Sequence, residues 1–236
     1  MMMKTIVTLT ALDEVTAIDG VISRIVRQGY ECLLVDDGST DGTPELAKQL
    51  GADVIVHSRN LGQGFAVLTS FKAALMKESD VIIEMDADGQ HDPCEIPIFL
   101  KKMEETTADI VVGSRILGSN YVGAPFFRKT FLPHFTGMIN RLTGYQMTDA
   151  MCGFRAFRTL SLGRVQHLLD EMLEPQYIAA EMFIRFSKAG LTVDEVPIHL
   201  LDRKSGQSYK GLVRYGLGVL KAISKTLTAT RHYRKL

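Results

Sequence analysis

The sequence predicts an α/β protein with a mainly parallel sheet and helices on both of its faces. Two observations predict it. Up to Gly113, apolar runs alternate with segments whose apolar residues recur at helical spacing. The runs themselves are short and rich in Val, Ile and Leu, as in strands covered on both sides.

Taken in order, Thr5–Thr10 is the first strand, and Asp13–Gln28 has helical spacing through Val15, Ile18, Ile22, Ile25 and Val26, with Gly29 as its stop. Glu31–Asp36 is the second strand. Thr43 and Pro44 open a short helix as N-cap and first-turn residue. Asp53–His57 is a third strand, Gly64–Lys77 a helix, Asp80–Met85 a fourth strand, Pro93–Glu105 a helix and Asp109–Gly113 a fifth strand. The second half is less regular. A helix over Phe126–Leu142 is expected to be interrupted at Pro133, followed by a strand over Phe154–Arg158 and a helix over Tyr177–Lys188. Leu191–Leu201 reads as a strand that Pro197 places near an edge or a bulge. Gly211–Thr230 is the final helix.

The 236 residues carry 27 basic and 27 acidic side chains, so net charge points to no nucleic-acid partner. The basic residues are unevenly spread. After Asp202 there is no acidic residue, whereas Arg203, Lys204, Lys210, Arg214, Lys221, Lys225, Arg231, Arg234 and Lys235 follow. Such a tail suits an anionic partner or a solvated face. Cys32, Cys94 and Cys152 show neither metal spacing nor a disulfide framework, which favours a reducing, cytoplasmic setting. Met1–Leu12 lacks the cleavage site of a signal peptide, and no apolar run reaches the ~20 residues of a membrane span. The expectation is a soluble protein or one resting on a membrane surface.

Ligands of an open α/β sheet bind outside the carboxyl ends of its strands. Acidic residues collect there: Asp13-Glu14 after the first strand, Asp36-Asp37 after the second, and Asp86 and Asp88 after the fourth. Clustered carboxylates repel unless cations or hydrogen-bond donors compensate, which suggests a hard cation. Asp86 and Asp88 with phosphate oxygens would make an ordinary Mg²⁺ environment, and Mn²⁺ suits the same ligands; Gln90 offers a further oxygen. Taken alone, an Asp-Ala-Asp-Gly turn reads better as a solvated loop, and its place after Val81–Met85 reverses that preference. The Asp36–Thr43 stretch reads equally as turn chemistry or as a ligand contact through Asp37. Asn60–Gly64 is ordinary helix capping by itself.

These motifs together resemble the inverting family 2 glycosyltransferases of the GT-A fold, a Rossmann-like sheet, and more closely their dolichol-phosphate mannosyltransferase-like branch. The resemblance spans nearly the whole chain. Val35–Thr43 resembles the nucleotide-binding turn, Asn60–Gly64 the connector, Met85–Pro93 the metal-binding segment, Gly113–Arg115 the end of the fifth strand, Thr148–Arg155 the acceptor-side stretch and Arg203–Ser208 a loop near the phosphates. The resemblance implies a single domain over 1–236, with a nucleotide-binding half over 1–113 and an acceptor-binding half over 114–236 that ends in the basic helix. It assigns Glu14, Asp37 and Asp86 to the nucleotide sugar, and Asp86, Asp88 and Gln90 to Mg²⁺ or Mn²⁺. Arg115, Arg128 and Ser208 fall to acceptor or phosphate groups, and Asp88, Asp149 and Arg203 to catalysis. The opening strand departs from the family's Pro-x-x-Asn-Glu, with Thr10 and Asp13 in place of Pro and Asn. The late Ser-Lys pair is here Ser208-Tyr209.

The implied reaction moves a sugar from a UDP- or GDP-linked donor to a polyprenyl phosphate or, alternatively, to a saccharide hydroxyl. A phosphate acceptor is already ionised and needs no base, whereas a hydroxyl needs one, and Asp149 is the candidate. Leu212–Leu227 and the basic tail allow peripheral contact with an anionic membrane face, though an amphipathic helix covering the core explains the same pattern. A nucleotide-sugar-binding protein without turnover is the competing class. Retention of Asp86, Asp88 and Arg203 argues against it, and the lack of a Gly-rich basic loop at Thr10–Glu14 argues against a nucleotidyltransferase.

Overall fold

The computed structural model describes residues 3–118, 126–172, 177–201 and 212–230. The first half follows a strict alternation: β1 (Thr5–Ala11), α1 (Val15–Arg27), β2 (Glu31–Asp36), α2 (Thr43–Gln49), β3 (Asp53–Val56), α3 (Gln63–Leu75) and β4 (Val81–Asp86). A 3₁₀ turn over Pro93–Glu95 then leads into α4 (Ile96–Glu105) and β5 (Ile110–Ser114). The second half holds α5 (Phe126–Thr143), β6 (Arg155–Arg158), α6 (Thr159–Arg164), α7 (Gln166–Asp170), α8 (Ile178–Lys188), β7 (Val193–Pro197) and α9 (Leu212–Thr230).

The seven strands of the described residues join one sheet in the order β3-β2-β1-β4-β6-β5-β7. Every pairing is parallel except those of β6, which runs against both β4 and β5. The mainly parallel α/β prediction therefore holds, and the sheet is continuous across both halves. β1, β2, β4 and β5 are buried along almost their whole length, which explains their unbroken apolar runs. On α1, Ala17, Ile18, Val21, Ile22 and Ile25 form the buried stripe. Phe71 of α3 meets Phe157 of β6 edge-on, and Phe99 of α4 packs on Phe154 at 4.3 Å between ring centres.

Three expectations change. Gly42, not Thr43, is the N-cap of α2; its φ of 92° is a left-handed conformation that glycine adopts without strain. The helix α5 runs on through Pro133 instead of breaking there. Leu191–Leu201 contracts to β7 at Val193–Pro197, an edge strand whose proline sits at its end, where the missing N–H costs no ladder bond. Two short helices, α6 and α7, had no clear periodic signal.

Because β6 is antiparallel, its entry lies at the same sheet edge as the carboxyl ends of β1, β2, β4, β5 and β7. The segment 148–154 that feeds β6 therefore stands beside the acidic turns. The α9 helix lies against α8, with Gly218 so close to Tyr177 that any side chain there would collide with the ring. Its inward face carries Val219, Ala222, Ile223 and Thr226; Leu217, Leu220, Lys221 and Lys225 face outward. Among the described residues, no helix is long and apolar enough to cross a membrane.

Candidate active site

The carboxyl edge of the sheet gathers most of the residues singled out in the sequence. The turn after β2 is built by its own acids. One oxygen of Asp36 accepts from the amides of Gly38 and Ser39 (3.1 and 2.9 Å). Asp41 accepts from the amides of Val15 and Thr43, and Asp13 from that of Thr40. Asp13 has φ 54°, the left-handed region that Asp tolerates better than most side chains. Glu14 is buried at the start of α1, where its amide donates to Thr43 Oγ1.

Asp37 is 3% exposed. Its carboxylate accepts from Leu61 and Gly62 amides (2.9 and 2.7 Å) and meets His57 Nδ1 at 2.8 Å. This carboxylate fixes the connector between β3 and α3. The connector has little freedom: a Cβ on Gly38 would lie 2.7 Å from the Arg59 carbonyl carbon.

Asp86 ends β4, and Asp88 follows after the buried Ala87; both acids are half-buried. Asp86 Oδ1 accepts from Gln63 Nε2 at 2.9 Å, and its Oδ2 would lie 3.0 Å from a Cβ added to Gly153. Glycine at 153 thus lets the acceptor-side backbone approach the first carboxylate. Asp88 accepts from the Gln90 amide at 3.0 Å, and the Gln90 carbonyl accepts from Leu201 N at 2.8 Å. His91 is buried beneath this loop. Its Nδ1 accepts from the Asp86 amide (3.3 Å), while Nε2 lies 3.9 Å from Cys152 Sγ. Burial pushes the His91 pKa down to about 4, which keeps the ring neutral, as an Nδ1 acceptor must be.

The donor set of Asp86, Asp88 and Gln90 is oxygen-only and suits a hard cation. Among the described residues, no group of three or more His, Cys, Asp or Glu side chains could hold a metal ion alone. A cation here would complete its shell with ligand oxygens, the usual habit of Mg²⁺.

On the acceptor side, Arg115 follows β5 and Asp149 lies on the 148–154 segment. Asp149 is 0% exposed and accepts a two-pronged pair of bonds, from Arg115 Nε to Oδ2 (2.5 Å) and from Nη2 to Oδ1 (2.8 Å). The carboxylate considered as a base for a hydroxyl acceptor is thus engaged by an arginine at both oxygens. Below it, Arg155 of β6 pairs with Glu84 of β4 at 3.1 Å and stacks over Phe183 at 5.4 Å. Burial pushes the Glu84 carboxyl up to about 7 against the pull of Arg155. Arg128 lies in the first turn of α5 with its side chain outside the described residues, and Arg203 and Ser208 also lie outside them.

Gln63 and Glu195 were not foreseen. Gln63 sits inside Asn60–Gly64, where the family resemblance was the only signal. Glu195, on β7, accepts from the amides of Thr148 and Asp149, 47 and 46 residues earlier, and no local pattern announces that.

Comparisons with known proteins bear on the family and the fold. The family model described as glycosyl transferase family 2 matches residues 6–166, more than half of the chain. An undecaprenyl-phosphate mannosyltransferase of Micrococcus luteus is 33% identical over 185 residues, 75% of this chain and 74% of that one. An undecaprenyl-phosphate 4-deoxy-4-formamido-L-arabinose transferase of Yersinia pestis is 31% identical over 81% of this chain but only 56% of its own length. Among solved structures, the glucosyl-3-phosphoglycerate synthase of Mycobacterium tuberculosis, in complex with Mn²⁺ and UDP-glucose, superposes with a TM-score of 0.68 at 20% identity. That match covers 96% of this chain and 78% of that one. At that identity the likeness shows the shared GT-A fold. With its parallel sheet, its acidic strand ends and a family match across most of its length, the chain belongs to glycosyl transferase family 2 and is a glycosyltransferase.

Proposed function

We propose that this protein transfers a sugar, with inversion, from a nucleotide diphosphate carrier to a polyprenyl phosphate. The carrying observation is the Arg115–Asp149 lock. A guanidinium held on two bonds at the sheet edge is a fixed cation for a phosphate. The same lock occupies Asp149, so a hydroxyl acceptor would lack the base assigned to it. A phosphate acceptor arrives ionised and needs none. The undecaprenyl-phosphate relatives support the same acceptor chemistry.

In this reading Asp149 positions Arg115 and does not take a proton. Asp37 shapes the nucleoside wall by holding Leu61 and Gly62, and Glu14 braces the adjoining turn at α1. Asp86, Asp88 and Gln90 would hold Mg²⁺ or Mn²⁺. The bound cation would neutralise charge on the departing diphosphate. Gln63 and His91 set the Asp86 carboxylate and amide. Arg128, Arg203 and Ser208 are assigned to phosphate groups by the sequence motifs alone. Much of the rate would come from holding donor and acceptor in line. The outward Leu217, Leu220, Lys221 and Lys225 of α9 suit contact with an anionic membrane face carrying the lipid acceptor.

The test is a panel of UDP- and GDP-sugars with Mg²⁺ or Mn²⁺, offered undecaprenyl phosphate, dolichyl phosphate and simple sugars. Transfer to a lipid phosphate is expected. Transfer only to sugar hydroxyls, abolished by Asp149→Asn, would reject the reading.

A further inference from the structure

The Arg115–Asp149 lock depends on where the 148–154 segment sits, and one carboxylate of β7 holds its beginning. Glu195 Oε2 accepts from the Thr148 amide (2.7 Å) and the Thr148 hydroxyl (2.9 Å), and Oε1 accepts from the Asp149 amide at 3.0 Å. Thr148 Oγ1 also lies 2.6 Å from Ser114 Oγ, at the end of β5 and next to Arg115. Glu195 pairs with Val112 in the parallel β5–β7 ladder, so it is fixed to the same strand that delivers the arginine. Its half-buried carboxylate thus spans two otherwise separate pieces of backbone.

We propose that Glu195 is a positioning residue for the reaction: by holding the Thr148 and Asp149 amides it fixes Asp149, and through Asp149 the guanidinium of Arg115. The inference rests on the reading of Arg115 as the cation for the acceptor phosphate. The far end of the segment has its own supports, Phe154 N to Cys152 Sγ at 3.4 Å and Gly113 N to Phe154 O at 2.9 Å. Loss of Glu195 should therefore disturb the arginine more than the carboxylates on the donor side. In Glu195→Gln one oxygen becomes an NH₂ that can only donate, so one set of the N–H donors loses its acceptor. Glu195→Asp keeps the charge but withdraws it by one methylene.

The experiment joins kinetics to nuclear magnetic resonance of the full chain. Folding of both variants is checked by thermal denaturation. With undecaprenyl phosphate as acceptor, Glu195→Gln is expected to lower kcat/KM for the acceptor by about 10–100-fold. Donor affinity measured without acceptor should change little. In an Arg115→Ala background the same substitution should cost almost nothing further, because the effect passes through the arginine. Independently of any acceptor, exchange of the Arg115 Nε proton with solvent should be slow in the wild type and faster in both Glu195 variants. If the wild type uses no lipid phosphate yet this proton loses protection in the variants, the acceptor reading fails and the positioning role stands. Wild-type exchange at Arg115 in folded Glu195→Gln overturns the positioning role, as does a full additional loss in the Arg115→Ala background.

Discussion

The two sides of the site hold their acids by largely different means. On the nucleotide side, Asp13, Asp36, Asp37, Asp41 and Asp88 all accept from backbone amides of nearby turns. Nearer the 148–154 segment, Asp149 and Glu84 pair with Arg115 and Arg155, although Asp149 also accepts from the Arg115 and Met151 amides and Glu195 is held by two amides and a hydroxyl. Amides supply partial charge and leave the formal negative charge in place; a guanidinium cancels it. The amide-held edge therefore remains electronegative, and an anionic diphosphate is unfavourable there until a divalent cation accompanies it. On the arginine-held side each guanidinium is fixed in place by its carboxylate, so these acids serve architecture and positioning.

The contrast can be broken most forcefully at the buried pair. Arg155→Ala strands Glu84 among apolar neighbours and should destabilise the protein by about 3 kcal/mol, near the low end for a broken buried pair because Glu84 can take up a proton. Chemical denaturation measures this. A loss below about 1 kcal/mol would place the pair among ordinary surface ion pairs.

On the other side, binding should fail while folding persists. Asp88→Asn is expected to lower transfer by about 100-fold or more with an almost unchanged melting temperature. Calorimetry should show metal-assisted uptake of the sugar nucleotide by the wild type and its loss in the variant. A subtler probe is Gly153→Ala, whose added Cβ would press on Asp86 Oδ2. It should raise the metal concentration needed for half-maximal rate by about tenfold, an order of magnitude matched to a small misplacement of one ligand. An unchanged metal requirement would mean that the backbone yields instead of the carboxylate.

The smallest effect concerns the thiols. Burial pushes Cys32 and Cys152 up to about 12, so both stay protonated and enclosed at neutral pH. Cys94 is exposed. An alkylating reagent should modify Cys94 alone in the folded protein, faster as pH rises, with transfer activity retained. Labelling of Cys152 without unfolding would show that the 148–154 segment opens.

The parallel half of the sheet was legible because each strand is a run of buried apolar residues closed by a turn motif. Val81–Asp86 is such a run, and its place just before Asp88 is what lifts that turn above an ordinary solvated loop. The acceptor side was less so. Asp149 meets Arg115 across 34 residues and Glu195 across 46, and no periodicity says which carboxylate faces which cation. For Asp149 the sequence displays a carboxylate near the right motif but not the arginine that engages it. The helix α5 passes Pro133 because a single missing amide can be tolerated within a long helix supported by its neighbours, where local propensity alone predicts a break.

The reversed direction of β6 has a further consequence. A strand running with its neighbours would bring its connection to the catalytic edge only on leaving the sheet; this one does so on arriving. The residues that arrive before Arg155, Gly153 against Asp86 and the buried Phe154 bonded to Gly113, therefore tie the start of this strand to the carboxyl ends of β4 and β5.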